Sequence, residues 1–502
     1  MDNDFEVHYS LENEEEFWSE LNDIVCAKCP SHEAIDNALR NYLYFTTKFK
    51  EDYLQSEHEI AQCSVRLLRS ELFEANKDYI RIQIVYSLLQ EEEAAALHLI
   101  GSFLLLDGRE NEATFEMMNK ETCFIRLVDL IKKRTDEDGR LHRLLLELLY
   151  EMSRMQRLSK EDLAHVDDEF VVYLFQIIEQ LSDDVDDPYH YPVIRVILVL
   201  NEQYMVESTS SPIDGTSVPL TNRVIKVLSQ HGSSYMTFSE NIILLLNRES
   251  ETSLQLLILK LLYLLFTTKA THEYFYTNDL RVLLDVIIRN LLDLPNELIS
   301  LRHTYLRVMY PLLAHTQLNE APHYKRDEVT KVLSILGGSA SQHWEPADET
   351  TLRLVERVAK VPWLRDDDIS EREVARKLLG ISISPTRTES LVSVHDVAAV
   401  TERPGVQTPS KKEELSHASD HKENSRETSQ ESNEDGTPEV EVKKETPFVP
   451  RRRLAPPPPP PPMSRGGLGK VTKEAVKKLP PKAPPSRRTK LKAVMTDGAS
   501  LS

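Results

Sequence analysis

The chain has 502 residues, with 60 Lys+Arg against 81 Asp+Glu and a net charge of -21, a length that suits two or three ordinary domains or one stacked helical array. That balance excludes the whole molecule from the nucleic-acid and anionic-membrane binders. The charge is divided: 15 Lys/Arg and 3 Asp/Glu lie from Lys443 onward, a net of +12, which leaves a net of -33 before it.

The first twenty residues are rich in acid and carry no apolar signal segment, so the four cysteines, Cys26, Cys29, Cys63 and Cys123, point to a reduced, cytoplasmic setting. Up to about residue 380, apolar residues recur at three- and four-residue spacing, which predicts helices and no strand. In chain order they span Ile60 to Phe73, Ile80 to Leu89, Ala94 to Leu106, Phe124 to Lys133, Leu141 to Met155 and Phe170 to Leu181. Further on come Val193 to Val206, Asn222 to Leu228, Leu254 to Phe266, Leu280 to Leu292, Leu298 to Ala314, Glu328 to Leu336 and Thr351 to Lys360. Asp187-Pro188 stands before the helix at Val193, Thr277-Asn278-Asp279 is placed to cap the helix at Leu280, and Leu294-Pro295 follows it. The longest apolar stretch, Leu254 to Phe266, is interrupted by Gln255 and Lys260 and falls short of the roughly 20 residues of a bilayer span, so it reads as a buried helix and no transmembrane segment is expected.

Helix groups recurring about every 40 residues, several apolar on most of their circumference, require cover from more than one side. The expected fold is all-α: an armadillo/HEAT-like helical solenoid over residues 1–380, followed by a disordered tail. Residues 381–442 are polar and acidic, with too few apolar side chains to build a core, and read as a disordered linker.

Residues 443–502 form a basic segment that holds 13 of the 27 prolines between Pro447 and Pro485, a composition that favours polyproline II. SH3 grooves take two proline turns and a flanking cation. Arg453-Leu454-Ala455-Pro456-Pro457-Pro458-Pro459 fits that pattern with its cation Arg453 and prolines Pro456 and Pro459, as does Lys478-Leu479-Pro480-Pro481-Lys482-Ala483-Pro484 with Lys478, Pro481 and Pro484. Pro447-Phe448-Val449-Pro450-Arg451-Arg452 fits the reverse orientation through Pro447, Pro450 and Arg452. Several weak sites on one chain gain by avidity. A stiff basic linker that touches nothing is the bland alternative; the proline run also suits profilin, and Arg487, Arg488, Lys490 and Lys492 suit an acidic surface such as actin.

Cys26-Ala27-Lys28-Cys29 has metal-like spacing, but no second pair follows, and Cys63 and Cys123 fall inside apolar helical patterns. No nucleophile-and-base constellation, P-loop or GxGxxG turn is present, so no enzyme activity, metal or cofactor is expected.

One region is more than generic helix. It runs from Leu244-Leu245-Leu246-Asn247-Arg248-Glu249 through Leu256 to Phe266, then Glu273-Tyr274-Phe275-Tyr276-Thr277-Asn278-Asp279-Leu280, and on to Tyr305-Leu306-Arg307, Tyr310-Pro311-Leu312-Leu313 and about Arg326. This block resembles the signature of the WISH/DIP/SPIN family, armadillo-type activators of the actin-related protein (Arp) 2/3 complex, in a fungal subtype with a proline-rich extension. The resemblance implies activation without a pre-existing filament, seeding linear filaments at endocytic cortical actin patches, with the tail recruiting SH3 proteins of the endocytic coat. Within the block Arg281, Arg289, Arg302, Arg307, Lys325 and Arg326 are the residues free to face the partner complex, each with a solvated helix face or an internal ion pair as the alternative. Asn278 and Asp279 are expected to cap a helix, and Tyr263, Phe266, Tyr274, Phe275 and Tyr305 to fill the core. The rival reading is a passive endocytic adaptor whose helical part binds another partner and whose tail supplies every link to actin.

Overall fold

The computed structural model describes residues 11–133, 139–182, 187–209, 220–338 and 348–365. The linker over 381–442, the tail over 443–502 and every SH3-type residue lie outside the described residues. Within them the chain is helical and holds no strand.

Side-chain caps fix where the first helices begin. α1 (Glu14–Val25) starts on Asn13, whose side chain accepts from Glu16 N, and α2 (His32–Lys48) starts on Ser31, which accepts from Ala34 N. A single turn, α3 (Lys50–Tyr53), leads to α4 (Glu57–Leu68), opened by a capping box in which Ser56 and Glu59 serve each other's backbone N–H. The helix predicted from Ile60 to Phe73 is in fact two. The Ser70 hydroxyl donates to Leu67 O at 2.7 Å and accepts from Phe73 N at 3.1 Å, ending α4 and starting α5 (Glu71–Ala75). Such local bonds compete with the helical ladder.

The chain continues through α6 (Lys77–Gln90), α7 (Ala94–Glu110), α8 (Ala113–Lys120), α9 (Cys123–Lys133) and α10 (Gly139–Met155). Gly108 lets α8 approach α7: a Cβ there would lie 2.3 Å from the Phe115 ring. Next come α11 (Lys160–His165), α12 (Asp168–Glu179) and α13 (Tyr191–Thr209), the last held at its start by Asp187, which accepts from Tyr191 N at 2.9 Å. α14 (Arg223–His231), capped by Asn222, precedes α15 (Met236–Arg248), α16 (Thr252–Thr267), α17 (Thr277–Asp293), α18 (Ile299–His315), α19 (Arg326–Leu336) and α20 (Glu349–Ala359).

Helices pack in chain order. α4 lies on α7, α7 on α10, α10 on α13, α13 on α16, α16 on α18 and α18 on α20, while α12, α15, α17 and α19 form a second row in which each packs on the next. A helix in the first row has neighbours on several sides. α16 therefore buries Leu254 through Tyr263 together with Leu265 and Phe266, and burial of each leucine side chain contributes about 2 kcal/mol.

Each joint of the first row also carries a polar link. Ser64 donates to Ser102 at 3.1 Å between α4 and α7, and Arg109 reaches Glu147 at 3.4 Å and Glu151 at 3.2 Å between α7 and α10. Gln203 of α13 donates to the Ser153 and Gln156 carbonyls at 2.7 and 2.8 Å, covering the end of α10. Lys260 of α16 pairs with Glu202 of α13, both side chains 0% exposed. Tyr305 of α18 donates to Gln255 of α16 at 2.9 Å and accepts from Asn290 at 2.8 Å, and His303 meets Asp348 and Thr351 at 3.1 Å at the α18–α20 joint. Buried polar groups with partners fix register.

After α20 a short turn, Pro362–Leu364, sets Trp363 over the last joint. Its indole N–H donates to Leu313 O at 3.1 Å and its ring stacks on His323 at 4.7 Å.

Candidate functional site

The family-like block supplies α15 to α18 and the approach to α19, and its aromatic residues are where packing requires them. Tyr263, Phe266, Tyr274, Phe275 and Tyr305 are all buried. Asn278 and Asp279 do not cap α17, which begins at Thr277 with no side-chain bond to its free N–H groups. Asn278 accepts from Arg281 at 3.4 Å instead, and Asp279 sits partly buried with its carboxyl raised above the usual range by burial. The two residues stand inside the first turn, two and three positions past the cap position held by Tyr276.

The six cations separate into distinct environments. Arg307 is 7% exposed, so the expectation that it faces a partner is corrected: it lies on the side of α18 turned towards its neighbours. Arg302 donates to the Leu294 and Pro295 carbonyls at 3.0 and 3.3 Å and to Asn296 at 3.3 Å, serving the carbonyl end of α17. Arg326 donates to Arg365 O at 2.7 Å. Arg289 is exposed and touches Asn247 O at 3.4 Å and Asn290 at 3.0 Å.

Arg281 and Lys325 come together around Tyr324. The Arg281 guanidinium lies 5.5 Å and the Lys325 ammonium 5.8 Å from the ring centroid, and the Tyr324 hydroxyl donates to Asp285 at 3.1 Å. Lys325 takes a left-handed backbone, φ 51°, a conformation that disfavours lysine; ion pairs to Asp285 at 3.2 Å and Glu328 at 3.0 Å offset this. Those two carboxylates also hold the lysine pKa above its ordinary value.

α17 and the residue before it also expose apolar side chains. Tyr276 is 60%, Val282 52% and Leu292 46% exposed, and Val282 shares an outward stripe with Asp285 and Arg289 at helical spacing. Aromatic, arginine and aliphatic residues at an exposed cluster are the composition of an interface core. Reading for cations alone finds Arg281 and Lys325 and passes over Tyr276, Val282, Asp285 and Tyr324. Val282 was detectable as an apolar residue off the buried stripe formed by Leu280, Leu283, Leu284 and Ile287.

The cysteines are simpler. Cys63 and Cys123 are buried, and burial pushes their thiols up to about 12, while Cys29 donates to the Ala27 and Ala34 carbonyls at 3.5 Å. Among the described residues no group of three or more His, Cys, Asp or Glu is arranged to hold a metal, and no helix is long and apolar enough to cross a membrane.

Over 373 residues the chain is 32% identical to Protein dip1 of Schizosaccharomyces pombe, a match covering 72% of this chain and 97% of that protein. It belongs to the SPIN90/Ldb17 family. The family's leucine-rich domain matches residues 186–329, which adds α13 and α14 to the block legible from Leu244 onward. Two proteins named LDB17 agree: that of Saccharomyces cerevisiae is 29% identical over 374 residues, covering 64% of this chain and 73% of its own, and that of Eremothecium gossypii is 28% identical over 351 residues, covering 64% and 74%. In this SPIN90/Ldb17 chain the Arg281–Tyr324–Lys325 cluster lies within the leucine-rich domain.

Proposed function

We propose that the chain is a non-enzymatic activator of the Arp 2/3 complex that needs no pre-existing filament and so produces linear seed filaments in endocytic cortical actin patches. Family membership carries this reading, because the match to dip1 spans 97% of that protein and 72% of this chain. An activator of this kind makes no covalent bond. It must bind the active arrangement of the complex more tightly than the inactive one, and moving a two-state equilibrium from 1:99 to 99:1 takes about 5.5 kcal/mol of differential binding.

A body able to impose that difference has to resist deformation itself. The polar link at each first-row joint and the dry Glu202–Lys260 pair support this requirement. The exposed Tyr276, Val282 and Arg289 with the Arg281–Tyr324–Lys325 cluster supply a surface of suitable chemistry for the partner complex. The basic tail binds SH3 proteins of the endocytic coat, and actin or profilin, and thereby sets where activation occurs.

Pyrene-actin polymerisation with purified Arp 2/3 complex tests the reading. The full chain and a chain ending at residue 380 should both shorten the lag in the absence of filament seeds. No acceleration by either removes the proposal; acceleration lost entirely with the tail supports the passive adaptor. Charge reversal at Arg281, Arg289 and Lys325 should cut the rate at least tenfold with unchanged circular dichroism, and full activity in that variant would place the contact elsewhere.

A further inference from the structure

Near the start of the first row, two polar side chains skip a layer. Arg140 and Arg143 stand on α10 and reach past α7 to the beginning of α4, where Arg140 donates to the Gln55 carbonyl and Arg143 to the Glu57 carboxylate. Ser56 lies between those two residues, so a guanidinium is seated on each of its immediate neighbours. Ser56 is exposed, and its hydroxyl oxygen accepts from Glu59 N at 3.3 Å, a bond that does not use the hydroxyl proton. Glu51 and Asp52 precede it, and Glu57 and Glu59 stand one and three residues after it, the acid-flanked setting that acidophilic serine kinases select.

We propose that Ser56 is a phosphorylation site whose phosphate is received by Arg140 and Arg143, tying α4 to α10 across α7. A kinase of the acidophilic class transfers the γ-phosphoryl group of ATP: an O–P bond forms at Ser56 Oγ, the bond from Pγ to the β–γ bridging oxygen breaks, ADP leaves, and the serine proton passes through the kinase's base to solvent. This chain supplies the acceptor and the receiver. The group adds a charge of about -2 and three acceptor oxygens, which suit the planar fork of arginine better than one carboxylate does.

Exposure decides which partner yields. The Glu57 side chain is 50% exposed and free to turn to water, whereas that of Arg143 is 16% exposed and has little solvent to return to. The phosphate therefore displaces Glu57 from Arg143. Glu57 and Arg143 also rim a cavity of about 180 Å³ floored by Ile60, Leu105 and Leu144, so the exchange reshapes the mouth of that cavity.

The test uses the full chain. Treatment with an acidophilic serine kinase and ATP, followed by peptide mass spectrometry, should find phosphate at Ser56 and lose that signal in Ser56→Ala. With phosphoserine installed at position 56 by genetic encoding, Tm should rise by about 2 °C at low ionic strength and the rise should shrink in salt. In Arg140→Gln and Arg143→Gln, each compared with its own unmodified form, the rise should disappear. Should Arg143→Gln not fold, Arg143→Lys replaces it and should keep at most half of the rise. No phosphate at Ser56 while other serines are modified, a fall in Tm, or an equal rise in the arginine variants would each overturn the proposal.

Discussion

Two ion-paired links within the same row are held by opposite means. Between α13 and α16, Glu202 and Lys260 face each other in a site closed to water, whereas the link from Glu57 to Arg143 lies at the surface with the carboxylate half exposed. Both are ion pairs in form. In the dry joint neither charge has solvent to turn to; at the surface water replaces the Glu57 carboxylate at small cost. The contrast teaches that the leucine-rich domain has a joint fixed in one arrangement, while the amino-terminal layers keep a connection that can be exchanged.

The comparison breaks most readily at Lys260. Lys260→Met removes the cation paired with buried Glu202 and should lower stability by about 3–5 kcal/mol in urea denaturation, while the double variant Glu202→Leu/Lys260→Met should recover most of that loss. Recovery of stability without recovery of actin activation would show that the pair sets geometry. Acid tests the amino-terminal side. Burial, followed by the nearby His190, pushes His142 down to about 4, below its unfolded value of 6.5. The unfolded chain therefore takes the proton first: this contribution to stability is whole above pH 6.5, falls as the pH drops towards 4 and is flat below, a loss of at most about 3 kcal/mol. His142→Phe should flatten that limb of the stability–pH curve.

A neutral version of the dry joint comes next. Tyr305→Phe removes the hydroxyl that serves Gln255 and Asn290, and should cost about 1–3 kcal/mol by the same urea measurement. Smallest is Glu57→Gln, which should change stability by under about 1 kcal/mol and less still in salt. A large effect there would mean that the surface link is no more exchangeable than the dry one.

The long apolar helices were legible because their periodicity extends over three or more turns: α10, α13, α16, α17 and α18 all fall on predicted spans. Elements governed by a single side chain were not. One hydroxyl at Ser70 divides a span that reads as continuous, and α8 and α11 are too short for a period to emerge. α1, α2 and α15 carry polar residues between apolar ones and depend on neighbours for their helical state, as Phe17 does by stacking on Phe45 at 5.1 Å. At the candidate site, charge was visible in sequence, but which charges are engaged elsewhere was not: Arg302 and Arg307 look as free as Arg289 until the neighbouring helices are in place.

Trp363 carries a further consequence. A stack of layers has two ends, and an end left open exposes the apolar face that every inner layer conceals. By closing over the Leu313 carbonyl and His323, Trp363 covers the apolar face at the α18–α20 joint. A fragment cut after Ala359 would retain all twenty described α-helices yet lose this cover, and should self-associate more than one cut after Arg365.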